Sequence, residues 1–70
     1  MIDKTVRKAT IDKIETAIEN AVNDFSRYGY NKDTMRGIYE MFATSFVENK
    51  ISFDDYARYR ELFYCIANGG

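Results

Sequence analysis

Proline is absent from this chain, and glycine occurs only at positions 29, 37, 69 and 70. These two residues are the strongest helix breakers, proline because it lacks an N–H and clashes with the preceding turn, glycine because ordering it costs the most backbone entropy. A chain of 70 residues with so few breakers is drawn to helix wherever its apolar residues recur at the helical period. Ile11, Ile14, Ile18, Ala21, Phe25 and Tyr28 do so, at alternating steps of three and four, with Ala17 and Val22 beside them. That pattern is one apolar stripe on an amphipathic helix. Gly29 follows where a left-handed residue commonly closes a helix.

Extended backwards, the same wheel places Asp3 and Arg7 on the stripe and puts Ile2, Val6 and Ala9 on the opposite side. Residues 1–10 therefore read as an arm or a helical overhang with a different apolar face. If residues 3–28 form one helix, it measures about 39 Å at 1.5 Å per residue and outreaches its neighbours.

Two short punctuated segments, Tyr28-Gly29-Tyr30-Asn31 and Asn49-Lys50-Ile51-Ser52, separate three such tracts. The second tract starts after Asn31 or Asp33 as N-cap and carries Met35, Ile38, Tyr39, Phe42 and Phe46 on one face. Gly37, Met41 and Thr44 fall on the reverse face, and Asn49 suits a left-handed end. The third tract has the strongest start signal. Ser52 followed by Asp55 matches a capping box, Ile51 and Tyr56 take the staple positions, and Asp54 and Asp55 oppose the helix dipole. Its inward stripe is Tyr56, Tyr59, Phe63 and Ile66 with Phe53 at the edge, which leaves Cys65 pointing outward beside Asp54, Arg58 and Glu61. The expectation is an all-α domain over residues 1–70, a small three-helix bundle with a long first helix and an N-terminal extension.

The functional reading begins with what is missing. Histidine is absent and Cys65 is alone, so neither a histidine general base, an activated thiol nor a disulfide framework is available. Asp54 and Asp55 diverge by about 100° on a helix, and capping accounts for them. No catalytic residue, cofactor or metal site is expected. The acidic stripe of Asp12, Glu15 and Glu19 reads as a solvated face. Residues 31–37 approach a calcium loop only superficially, with Met35 at its fifth position and its glycine one residue late.

Ten basic and eleven acidic side chains give a formal charge of −1, neither the basic surplus of nucleic-acid binders nor the acidic surplus of their mimics. The turn at residues 49–52 is similar to that of a helix-turn-helix, but Asp54 and Asp55 would put negative charge where phosphates approach. No apolar run reaches the roughly 20 residues of a membrane span and no signal peptide opens the chain, and a lone thiol fits a reducing cytoplasm.

A binding role is what is left. Outside the core stripes lie Ile2, Val6 and Ala9, then Gly37, Met41 and Thr44, then Leu62 and Cys65, and a contiguous set of these would form a docking face. Gly37 is the sharpest of them, tolerable in mid-helix where a partner or the first helix passes closely. The expected function is a non-catalytic protein–protein interaction module that also forms a homodimer. In size and composition the chain resembles small accessory proteins of viruses and mobile elements that inhibit or adapt a larger host protein. The alternative is a small dimeric nucleic-acid-binding regulator that uses Lys4, Arg7, Lys8 and Lys13 as a basic N-terminal arm.

Overall fold

A computed structural model describes residues 2–68, with Met1, Gly69 and Gly70 outside the described residues. Three helices make up the bundle: α1 (Lys4–Tyr28), α2 (Lys32–Val47) and α3 (Phe53–Ala67). The central helix α2 packs against both α1 and α3, whereas α1 and α3 reach each other through long side chains, Arg7 to Asp55 and Glu15 to Tyr59. At 1.5 Å per residue α1 is about 37 Å long, which accounts for the 39 Å long axis of the molecule.

Local signals set the helix ends. Asp3 caps α1 by accepting from the Thr5 and Val6 N–H groups, and Asn31, rather than Asp33, caps α2 through Asp33 and Thr34. Ser52 and Asp55 form the full reciprocal capping box at α3. Each cap satisfies donors that a helix start leaves without intrahelical partners. Asn49 takes φ 65° just past α2, as its side chain permits. Gly29 differs from the left-handed cap the sequence suggested. Its φ of 93° and ψ of 168° lie in a region open essentially to glycine alone.

The core is Ile14 and Ala21 of α1, Met35, Ile38 and Phe42 of α2, Ile51 of the second turn, and Tyr59 of α3. Phe42 is at its centre, with ring centroids 5.1 Å from Tyr39, 5.7 Å from Tyr56 and 6.2 Å from Tyr59. Three expectations about faces need correction. Tyr28, assigned to the α1 stripe, is 82% exposed, because the α2 turn beside it is the exposed polar run Lys32-Asp33-Thr34. Met41, assigned to an outward face, is half-buried against the core, since a central helix with two neighbours buries a wider arc than one stripe. Gly37 has nothing within 4 Å of the position its Cβ would occupy, so α1 does not pass closely there.

The two internal glycines should thus respond oppositely to alanine. Gly37→Ala is expected to stabilise the protein by about 0.5–1 kcal/mol, because it removes a mid-helix entropy penalty without a clash. Gly29→Ala should destabilise it by about 1–3 kcal/mol through strain at positive φ. Urea denaturation of both variants reads the two signs, and a destabilised Gly37→Ala would contradict the open space seen at that position.

Candidate functional site

The N-terminal turns of α1 are held, not free. Arg7 continues the inward stripe of Ile11 and Ile14, and the end of that stripe is polar because it meets a carboxylate. The Arg7 Nε donates to Asp55 Oδ2 at 2.8 Å and its Nη2 donates to Asp55 Oδ1 at 2.8 Å. This is the planar two-point geometry that guanidinium offers a carboxylate. The Asp55 side chain is only 4% exposed and that of Arg7 is 46% exposed. The Ser52 N–H also donates to Asp55 Oδ2 at 3.1 Å, and Arg58 approaches Oδ1 at 3.5 Å. The Arg7 hydrogen bond, supported by those from Ser52, outweighs the cost of burial and pulls the Asp55 pKa down to about 2.

That clamp decides between the two readings of the N-terminal segment. Of the two alternatives the helical one holds for residues 4–10, which are the first turns of α1, and the helix is tied to α3 one turn in. Arg7 is removed from the proposed basic cluster, because its guanidinium is already occupied. Lys4 and Lys8 remain exposed, and with Thr5, Ala9 and Asp12 they line a shallow hollow of about 400 Å³. Lys13 is exposed farther along the helix.

The remaining sequence-derived docking residues are dispersed. Val6 and Ala9 are exposed on α1, while Ile2 is half-buried before it. Gly37 and Thr44 are exposed on α2, and Leu62 and Cys65 on α3. Apart from Ala9, none of these residues lines a hollow described here. Glu15, from the acidic stripe, accepts a 3.4 Å hydrogen bond from the Tyr59 hydroxyl, which gives it a structural role.

The most developed surface lies elsewhere, along the outer seam between α2 and α3. Phe53 is 64% and Tyr64 51% exposed, and between them run half-buried aromatics from both helices. Phe46 stacks on Tyr56 at 4.9 Å and meets Phe53 at 5.9 Å. Tyr39 lies 5.4 Å from Phe63, which lies 5.7 Å from Tyr64. The Tyr39 and Tyr56 hydroxyls are 3.1 Å apart and share one hydrogen bond across the seam. That bond, ahead of burial, pushes the Tyr39 pKa above its ordinary value.

Two hollows open on this seam and share Tyr64. The larger, about 520 Å³, has Met35, Tyr39 and Phe63 among its walls and Tyr30, Lys32, Asp33 and Arg36 around it. The smaller, about 310 Å³, is lined by Phe53, Tyr56, Ala57, Arg60, Glu61 and Tyr64. Apolar walls with a few polar groups are the usual make-up of a binding concavity. A reading built on a single inward stripe for α3 missed Arg60 and Tyr64 and placed Phe53 only at the edge of the buried face. A signal was present: Phe53, Ala57, Arg60 and Tyr64 recur at steps of four, three and four, a second stripe beside the first.

Among the described residues no helix is long and apolar enough to cross a membrane. Comparison of the chain with protein-family models, with curated proteins and with solved structures found no match.

Proposed function

We propose that this chain is a non-catalytic interaction module that binds another protein through the aromatic seam of α2 and α3. One observation carries the reading: Phe53 and Tyr64 are majority-exposed aromatics on a continuous aromatic surface flanked by two hollows. Aromatic side chains supply large contact area at small entropic cost and are enriched where proteins meet. An isolated exposed apolar residue would mean little, whereas a connected set marks a contact surface. Such a module acts by occupancy, as a stoichiometric inhibitor or adaptor of a larger protein. The exposed free thiol of Cys65 is in keeping with a reducing, cytoplasmic setting.

The nucleic-acid alternative loses support from the Arg7–Asp55 pair, which takes the central cation out of the basic cluster. A second copy has the same aromatic surface open to it, and also Val6 and Ala9, which stay exposed on the first turns of α1.

The test compares the wild-type protein with the double variant Phe53→Ala/Tyr64→Ala in cells that make it, with a photo-crosslinker at Ala57 in each. Wild type should crosslink to a discrete protein, and the double variant should lose that product at least tenfold while keeping its melting temperature to within a few degrees. Crosslinking to a second copy, with sedimentation equilibrium showing a dimer, would assign the surface to self-association. An undiminished product in the double variant would sink the reading. So would retention of nucleic acid alone, falling steeply with salt.

A further inference from the structure

Two cations on the seam that we assign to protein binding make no ion pair among the described residues, Lys32 at the edge of the larger hollow and Arg60 in the smaller, and only Arg60 is stacked on an aromatic ring. Arg7 and Arg58 are paired with Asp55, Arg36 with Glu40 and Lys50 with Glu48. Arg60 makes no ion pair among the described residues, although Glu61 borders the same hollow. Its guanidinium lies over the Tyr64 ring, 5.9 Å from the centroid. Tyr56 lines that hollow with it, and its positive charge reaches the Tyr39 hydroxyl, where it opposes the rise in pKa caused first by the Tyr56 hydrogen bond. The mutual bond of Tyr39 and Tyr56 uses one of the two phenolic protons and leaves the other free to donate outward.

Arg60 is thus stacked on an aromatic face, which holds its plane and leaves its N–H groups to solvent. Around it are one spare phenolic proton, apolar walls, and the Glu61 carboxylate, which borders the hollow without pairing with Arg60. A planar donor fork in such surroundings matches a carboxylate, which can accept two parallel bonds from guanidinium and one more from a hydroxyl. The walls to either side, Phe53 and Ala57 in one hollow and Tyr39 and Phe63 in the other, match apolar side chains adjacent to that acid.

We infer that Arg60, with the Tyr39–Tyr56 hydroxyl pair beside it, is the recognition point for a glutamate or aspartate side chain of the partner protein, presented between two apolar residues. The inference rests on the aromatic seam being the binding face and adds what that face selects. Charge-assisted bonds of this kind discriminate by an order of magnitude or more in affinity. The partner's acid is therefore the specificity element and its apolar neighbours supply the contact area.

A random peptide library displayed on phage and selected on the intact protein tests this. Enriched peptides should carry Asp or Glu flanked by aromatic or aliphatic residues. The strongest of them, synthesised with acetyl and amide ends, should lose at least tenfold in affinity when its acid becomes the matching amide. A similar loss is expected on Arg60→Gln, an exposed substitution that should leave the melting temperature unchanged, and Arg60→Lys should recover only part of it. Peptides without an acidic consensus, or peptides bound equally by Arg60→Gln, overturn the inference. If such peptides are nonetheless lost from Phe53→Ala/Tyr64→Ala, the docking face stands and only its carboxylate selectivity is wrong. Inorganic phosphate displacing the peptide at equal concentration would reassign Arg60 to phosphate and also overturn the proposal, and failure to enrich any peptide counts against both.

Discussion

Replacement of Phe42 by alanine is expected to cost about 3–5 kcal/mol, the range for truncating a fully buried aromatic. Phe42 has no solvent exposure, and it is the ring that the aromatics of α3 converge on. Its centroid lies within 6.4 Å of those of Tyr56, Tyr59 and Phe63 and 5.1 Å from that of Tyr39 on its own helix. The cavity left by its removal borders four rings held by other contacts, so collapse can fill little of it. A 70-residue domain has only about 4–10 kcal/mol of total stability at typical values per residue. Phe42→Ala should therefore lose about half of that margin, with a urea midpoint far below that of the wild type. Phe53→Ala, at an exposed ring, should change stability by about 0.5 kcal/mol or less. Urea titrations of the pair measure the contrast, and a cost below about 1.5 kcal/mol at Phe42 would show that the core is not organised around it.

The second large effect is expected at Asp55. Asp55→Ala removes a buried carboxylate, half of a capping box and the tie between α1 and α3, for a loss of about 2–3 kcal/mol. The same group imposes an acid dependence. Its carboxyl titrates at about 2 in the folded protein and near the ordinary value of about 3.9 when unfolded. Between those values the unfolded chain takes up the proton first, so protonation favours unfolding. The stabilisation is fully present above about pH 4 and is lost as pH falls through about 2. It amounts to about 1–2 kcal/mol once the half-exposed guanidinium is discounted for solvent screening. Arg7→Ala should bring the Asp55 carboxyl back up toward its ordinary range and shift the acid midpoint upward, which NMR titration of the Asp55 side chain reads directly. An acid transition unmoved by Arg7→Ala would mean that the pair does not set Asp55.

The Ser52–Asp55 box and the Arg7–Asp55 clamp meet at one residue, yet only the first was legible beforehand. Ser52 and Asp55 are three positions apart, and that spacing alone dictates the reciprocal bonds. Arg7 and Asp55 are 48 positions apart, and nothing in the chain pairs them until α2 has turned α3 back beside α1. Without that knowledge a charged residue on an apolar stripe looked like the end of the core. It is the place where the core becomes polar.

The seam shows the same division. Helical periodicity placed Tyr39, Phe46, Tyr56 and Phe63 correctly toward the neighbouring helix, because periodicity is a property of one helix and its own axis. How far the neighbour covers that face depends on where two axes cross, which no single helix encodes. Phe53 and Tyr64 were left uncovered by that crossing, and Met41 was covered by it. Helix number, helix ends and the central place of Phe42, Ile14 and Tyr59 were thus determined locally by breakers, caps and apolar period. The clamp at Asp55 and the exposed aromatic seam were decided only by tertiary packing, since each depends on groups that meet across helices.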